Sequence, residues 1–176
     1  EPNRLHAWPT NYQIAVDWPI VAIEVIDAGV VVATEGRPYL IQGVEPRSMT
    51  PRQLWVTEAC VSKRSMTTLG YAALYASVNG LVMVSQNGAE LVTRHIVTEK
   101  EWSEFKPETM HANEFSQQYV GFYGDSVSGD GVLFDPKEPE RGLVDVGFWC
   151  KDTFRDATDA FLYLLLDDNT IVRWDS

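Results

Sequence analysis

The chain has 176 residues, 45% of them hydrophobic and 22% charged, with 14 Lys and Arg against 25 Asp and Glu for a formal net charge of −11. That is enough chain for one domain with its own core, and the balance excludes a disordered tail, a collagen-like repeat and a disulfide-stapled miniprotein. A sequence pI of about 4.6 and the lack of any Lys/Arg cluster argue against nucleic-acid binding, which depends on neutralising phosphates with basic side chains.

No apolar run approaches the roughly 20 residues of a membrane helix. The longest, Ala160 to Leu166, is too short, and no charged start followed by an apolar stretch marks a signal peptide. A soluble domain without membrane insertion is expected. The first residue, Glu1, is not an initiator Met, which points to a processed chain or to part of a larger protein or assembly.

Short apolar runs bounded by Gly, Asn, Asp or Pro dominate, and that pattern predicts an all-β fold. Val30 to Thr34 and Pro38 to Gln42 read as a hairpin around Glu35-Gly36-Arg37. Ala73 to Ser77 and Leu81 to Ser85 form a second around Val78-Asn79-Gly80, where Asn-Gly is expected to supply positive φ. A third joins Tyr119 to Tyr123 with Gly131 to Asp135 through the loop 124–130, and a fourth joins Phe161 to Leu166 with Thr170 to Trp174 through Asp167-Asp168-Asn169. Leu143 to Trp149, Glu90 to Thr93 and His111 to Phe115 are candidate strands between them, and Tyr75, Leu81, Tyr119, Phe122, Tyr163 and Leu165, apolar members of the hairpins, are expected in the core. One short helix is expected near residues 98–106: Thr98 and Glu101 have capping-box spacing, Val97 and Trp102 that of a hydrophobic staple, and Pro107 closes the segment.

The four hairpins begin near residues 30, 74, 119 and 161, an interval of about 44 residues, which is the period of propeller blades. The fold class expected is therefore an all-β, β-propeller-like domain of roughly four hairpin-based units spanning 1–176, with a sandwich or another barrel as the alternative. The fourth hairpin ends two residues before the last residue, so the outermost strand of that unit is expected to be missing, to be supplied by Tyr12 to Val16 or by another chain. The paired Arg-Ser-Met-Thr segments at 47–50 and 64–67 are either a trace of repetition or chance.

Motifs for chemistry are sparse. No nucleophile elbow, zinc-protease helix, phosphate loop or dinucleotide fingerprint occurs. His6, His95 and His111 are scattered, and Cys60 and Cys150 lack metal-ligand spacing, so buried free thiols are expected. The loop Asp125 to Gly131 offers oxygens to a hard cation but lacks the calcium-loop order, and it matches the sialidase Asp box only superficially. Asp152, Asp156 and Asp159 would share a face only in a helix, and as a loop they form a charged rim. Trp8, Trp18, Trp55, Trp102, Trp149 and Trp174 are read mainly as packing residues, with a sugar-stacking platform as the alternative; Trp174-Asp175 resembles the dipeptide ending many propeller blades. No catalytic, cofactor-binding or metal residues are assigned, no cofactor is expected, and no partner-binding residues can be named.

The segments Val31 to Leu40, Ala59 to Met66, Leu74 to Val82 and Tyr119 to Tyr123 resemble segments of structural proteins of tailed bacteriophages, virion components with propeller-like domains near the head–tail junction or tail. The resemblance spans about residues 22–174. It implies a non-enzymatic assembly component in the virion, made in the host cytoplasm, binding other virion proteins as an oligomer and no specific nucleic acid. An acidic surface is compatible with a wall past which DNA slides. The alternative is a carbohydrate-binding or glycan-processing propeller domain, and a bacterial protein-interaction propeller is a third reading.

Overall fold

The computed structural model describes residues 12–45, 47–156 and 158–174, and it places 15 strands in four antiparallel sheets with one short α-helix. The first sheet is β1 (Ile20–Ile26), β2 (Gly29–Thr34), β3 (Tyr39–Gln42) and β4 (Thr50–Gln53). The second is β5 (Thr67–Thr68), β6 (Ala72–Ala76), β7 (Leu81–Ser85) and β8 (Gly88–Leu91). The third is β9 (His111–Phe115), β10 (Gln118–Tyr123), β11 (Asp130–Phe134) and β12 (Val144–Asp145). The fourth has three strands, β13 (Asp152–Arg155), β14 (Leu162–Leu165) and β15 (Ile171–Arg173). In every sheet, chain neighbours are also sheet neighbours, as short turns between antiparallel strands require.

All four expected hairpins form: β2–β3, β6–β7, β10–β11 and β14–β15. The all-β class holds, and the helix α1 (Glu99–Glu104) is where the capping signature puts it. Thr98 Oγ1 accepts the Glu101 N–H while a Glu101 carboxylate oxygen accepts the Thr98 N–H at 2.8 Å.

Several details differ from expectation. Leu143 to Trp149 pairs only over Val144 and Asp145, because Gly147 takes φ +78° and donates its N–H to the Asp145 side chain, turning the chain out of the ladder. Asn79 is not a positive-φ residue. Gly80 is needed there for room: a Cβ would sit 2.3 Å from Thr93 Oγ1, the atom that accepts the Leu81 N–H. The stretch Tyr12 to Val16 is not a strand, and Asp17 beside it bonds the Tyr39 hydroxyl at 2.9 Å, which holds it to the first sheet and not the last. The two Arg-Ser-Met-Thr segments lead into β4 and β5, the outermost and first strands of their sheets, so they are not equivalent positions.

The sheets stack in sequence order. The first strand of each packs on the first strand of the next, β1 on β5, β5 on β9 and β9 on β13. Three cores fill the spaces between them. Ile26, Val31, Ala33 and Leu40 meet Tyr75, Val82 and Val84 between the first and second sheets. Leu74, Leu81 and the helical Trp102 meet Met110, Tyr119 and Phe134 between the second and third. Val120 and Phe122 meet Cys150, Leu162 and Leu164 between the third and fourth. Strand alternation explains the split, since β6 sends Ala73 and Tyr75 to one neighbour and Leu74 and Ala76 to the other.

Of the expected core residues, Tyr75, Leu81, Tyr119 and Phe122 are buried, but Tyr163 and Leu165 are only half-buried. The pleat turns Leu162 and Leu164 inward on that strand instead. Buried polar groups are tied to backbone: the Tyr75 hydroxyl donates to Glu58 O, the Tyr119 hydroxyl to Ser65 O, and Trp102 Nε1 to Ser77 O, at 2.8, 3.0 and 2.8 Å.

Candidate functional site

The fold gathers residues that the sequence leaves far apart at the junction of the third and fourth sheets. His111 opens β9, Cys150 lies just before β13, and Asp152 begins it. Cys150 Sγ is 3.7 Å from His111 Nε2, and an Asp152 carboxylate oxygen is 2.6 Å from the guanidinium of Arg64, which arrives from the connection into the second sheet. Thiol, imidazole and carboxylate side by side is the residue set of a nucleophile, base and orienting group.

The environment gives it a different chemistry. Cys150 is fully buried, and burial first, then the Asp152 carboxylate, pushes its thiol up to about 12. Burial first, then the Arg64 guanidinium, pushes His111 down to about 4. A cysteine nucleophile needs a lowered pKa and an imidazolium beside it, so at neutral pH this pair is a thiol facing a neutral imidazole. For Asp152, burial works against ionisation, but the Arg64 guanidinium and the Thr153 N–H outweigh it and hold the carboxyl below its usual range. The His111 ring stacks on Phe122 with centroids 5.7 Å apart.

A second polar tie crosses the same junction. The buried Glu114 on β9 meets Arg155 on β13 at 2.7 Å, and its other carboxylate oxygen accepts the Gln117 N–H at 2.7 Å. Both oxygens of a buried carboxylate are thus satisfied, which is what makes its burial tolerable.

The remaining candidates are dispersed. Asp125 Oδ1 accepts from the Val127 and Ser128 N–H groups at 2.9 and 3.0 Å, and those bonds lower its pKa. Asp130 Oδ1 accepts the Gly131 N–H at 2.7 Å. One carboxylate oxygen of each of these two aspartates is engaged by the loop's own backbone, and among the described residues no group of three His, Cys, Asp or Glu could hold a metal ion. Asp152, Asp156 and Asp159 do not share a helical face: Asp156 caps the Thr158 N–H, and Asp159 bonds the Phe161 N–H and the Tyr163 hydroxyl. Cys60 is buried and free, as is Cys150, with its Sγ 3.3 Å from Ser62 O and its thiol raised to about 11 by burial. His95 is exposed; His6, Trp8 and Asp175 lie outside the described residues.

The tryptophans divide by role. Trp102 is core, Trp55 is 90% exposed, and Trp18 lies against Gly36. Trp149 and Trp174 flank the third core, with the Phe148 and Trp174 rings 5.8 Å apart. Two hollows stand out. A groove of about 900 Å³ between the second and third sheets is lined by Met83, Leu91, Arg94, His95, Ile96 and Phe134. A hollow of about 610 Å³ on the fourth sheet is lined by Phe148, Trp149, Leu166, Asp167, Asp168 and Val172.

Sequence reasoning treats His111, Cys150, Asp152 and Arg64 one at a time; only the pairing of β9 with its neighbours in space brings them together, and no local spacing signals it. Among the described residues no helix is long and apolar enough to cross a membrane. No protein-family model matches the chain, and no curated protein matches its sequence.

Proposed function

We propose that the chain is a non-enzymatic structural component of a bacteriophage virion, at the head–tail junction or in the tail, built as a β-propeller-like array of units of about 44 residues. The propeller reading is supported by the order of packing: four meanders in succession, each placing its first strand against the first strand of the next. Such strands line the axis of a propeller. The virion assignment rests on the resemblance of the segments at 31–40, 59–66, 74–82 and 119–123 to tail-associated proteins.

The observation that carries the non-enzymatic reading is the junction at His111, Cys150 and Asp152, where the thiol and the imidazole are buried. The place where, among the described residues, thiol, imidazole and carboxylate converge joins two sheets, with the thiol up at about 12 and the imidazole down at about 4. In this reading the chain works through its surfaces, binds other virion proteins, and resides in the particle after assembly in the host cytoplasm. Deletion of the coding segment, followed by electron microscopy of lysates, tests it: heads and tails that fail to join or mature support the proposal, and complete infectious particles overturn it.

A second reading, a carbohydrate-binding domain, is favoured by the hollow on the fourth sheet. It sets Phe148 and Trp149 beside Asp167 and Asp168, the pairing of aromatic face and carboxylate that sugars use. Saturable binding on a glycan array, lost in Phe148→Ala, would establish this reading in place of the first.

A further inference from the structure

Among the described residues, the last strand of each sheet has a strand on one side only, and three of these four strands are poor templates for another. Antiparallel ladders alternate, so every second residue turns its backbone N–H and C=O away from its partner. On β4 the Leu54 N–H bonds Pro38 O at 2.9 Å, so Pro51 and Gln53 face outward, and Pro51 has no N–H to give. β12 is two residues long and β15 three. β8, Gly-Ala-Glu-Leu, carries no proline and has four residues. The Val92 N–H bonds Leu81 O at 2.9 Å, so in the register of β7 with β8 Gly88 and Glu90 face β7 while Ala89 and Leu91 face outward. Of these outward groups Leu91 O alone has a partner among the described residues, the Arg94 N–H at 3.3 Å.

The groove of about 900 Å³ between the second and third sheets runs along this edge and reaches both faces of β8. On one face Ala89 and Leu91 lie with Val56 against the first core. On the other, Glu90 shares the side of Met83, whose neighbours Ile96 and Phe134 belong to the second core. A hollow of about 590 Å³ lined by Tyr71, Asn87 and Glu90 continues past the start of the strand. Outward backbone donors and acceptors in a cleft with apolar floors on alternate sides suit an extended segment, whose main chain supplies affinity and whose alternate side chains supply specificity.

We infer that β8 takes up an extended segment of a partner protein as a fifth, antiparallel strand of the second sheet, with apolar residues opposite Ala89 and Leu91 and a basic residue opposite Glu90. Charge selects this occupant. The basic side chain lies on the face where Glu90 stands on the strand and Glu140 on the facing wall, while Arg94 and His95 sit beyond Leu91 at the far end of the groove. The net charge of −11 steers a cationic segment toward the chain. Two copies of β8 paired edge to edge would set Glu90 against Glu90, like charges directly opposite, so the chain is not its own partner here.

The inference is independent of the virion assignment, since its test needs only the purified chain and a synthetic peptide. The probe is acetyl-Thr-Ile-Val-Lys-Val-Thr-amide, whose Lys falls opposite Glu90 and whose second Val falls opposite Ala89. Titrated into isotope-labelled chain and followed by NMR, it should bind saturably with a Kd below about 1 mM and shift the amides of Ala89 and Leu91. Methylating the amide nitrogen of the second Val, which bonds Ala89 O, should abolish binding, whereas methylating that of the Lys, which points away from β8, should not. Replacing the probe's Lys by Glu should weaken binding about fivefold or more, and Glu90→Lys, at an exposed position, should reverse that preference. Absence of saturable shifts at millimolar peptide overturns the inference, as do shifts centred on another strand. Equal effects of the two methylations, or an unchanged preference in Glu90→Lys, overturn it as well.

Discussion

Phe122 tests the stacking of the third and fourth sheets directly. Its side chain is fully buried and touches elements from three directions: His111 on β9 at 5.7 Å between ring centroids, Phe148 at 5.8 Å, and Trp174 beyond β15 at 6.4 Å. In Phe122→Ala, loss of the ring's transfer free energy accounts for about 2–3 kcal/mol. A residual cavity of up to about 100 Å³, at roughly 24 cal/mol per Å³, adds up to about 2 kcal/mol, so the total should fall at about 3–5 kcal/mol. The assay is urea unfolding followed by tryptophan fluorescence, with Trp174 as a reporter beside the site, and with Leu164→Ala and Leu165→Ala in parallel. Leu164 is buried and should cost about 2–5 kcal/mol, whereas the half-buried Leu165 on the outward face should cost about 1 kcal/mol or less at low protein concentration. A loss below about 1 kcal/mol for Phe122→Ala, or equal losses at Leu164 and Leu165, would refute the assigned face of β14 and the core built on it.

The buried His111 should make stability depend on pH. Its pKa is down at about 4 in the folded chain against 6.5 when unperturbed, so the unfolded state takes up more protons between those values. Stability is then full above about pH 7 and falls as pH drops from about 6.5 to 4, by up to roughly 3 kcal/mol; urea midpoints across that window should fall less steeply in His111→Asn than in the wild type. Gly29 has φ +147°, and a Cβ there would lie 2.2 Å from Ile41 O, so Gly29→Ala should cost more than about 1 kcal/mol in the same unfolding assay. With a net charge of −11, the chain should show no measurable affinity for duplex DNA at physiological salt, and micromolar binding in a gel-shift titration would contradict this.

Hairpins were readable because both their signals are local. The short apolar runs at 81–85 and 119–123 and the turn residues between runs act within a few positions, and the capping pair Thr98 and Glu101 is three residues apart. Strands that owe their existence to a neighbour were not readable. β4 is Thr-Pro-Arg-Gln, exposed throughout, and pairs only because β3 offers it an edge. β13, Asp-Thr-Phe-Arg, likewise depends on β14 and on the Glu114 to Arg155 tie. The inward face of β14 is not legible in the sequence because Phe-Leu-Tyr-Leu-Leu-Leu is apolar on both sides, and periodicity cannot choose a face for such a run. The gathering of His111, Cys150, Asp152 and Arg64 was illegible for a related reason: the residues lie up to about 90 positions apart, and only sheet stacking unites them.

Quantitative mass spectrometry of gradient-purified phage particles, washed at high salt, measures the central claim most directly. The proposed role predicts that this chain is present at a fixed copy number per particle, in constant ratio to the major capsid and tail subunits from one preparation to the next. Its absence from washed particles, with the chain recovered only in the soluble lysate, would contradict that role.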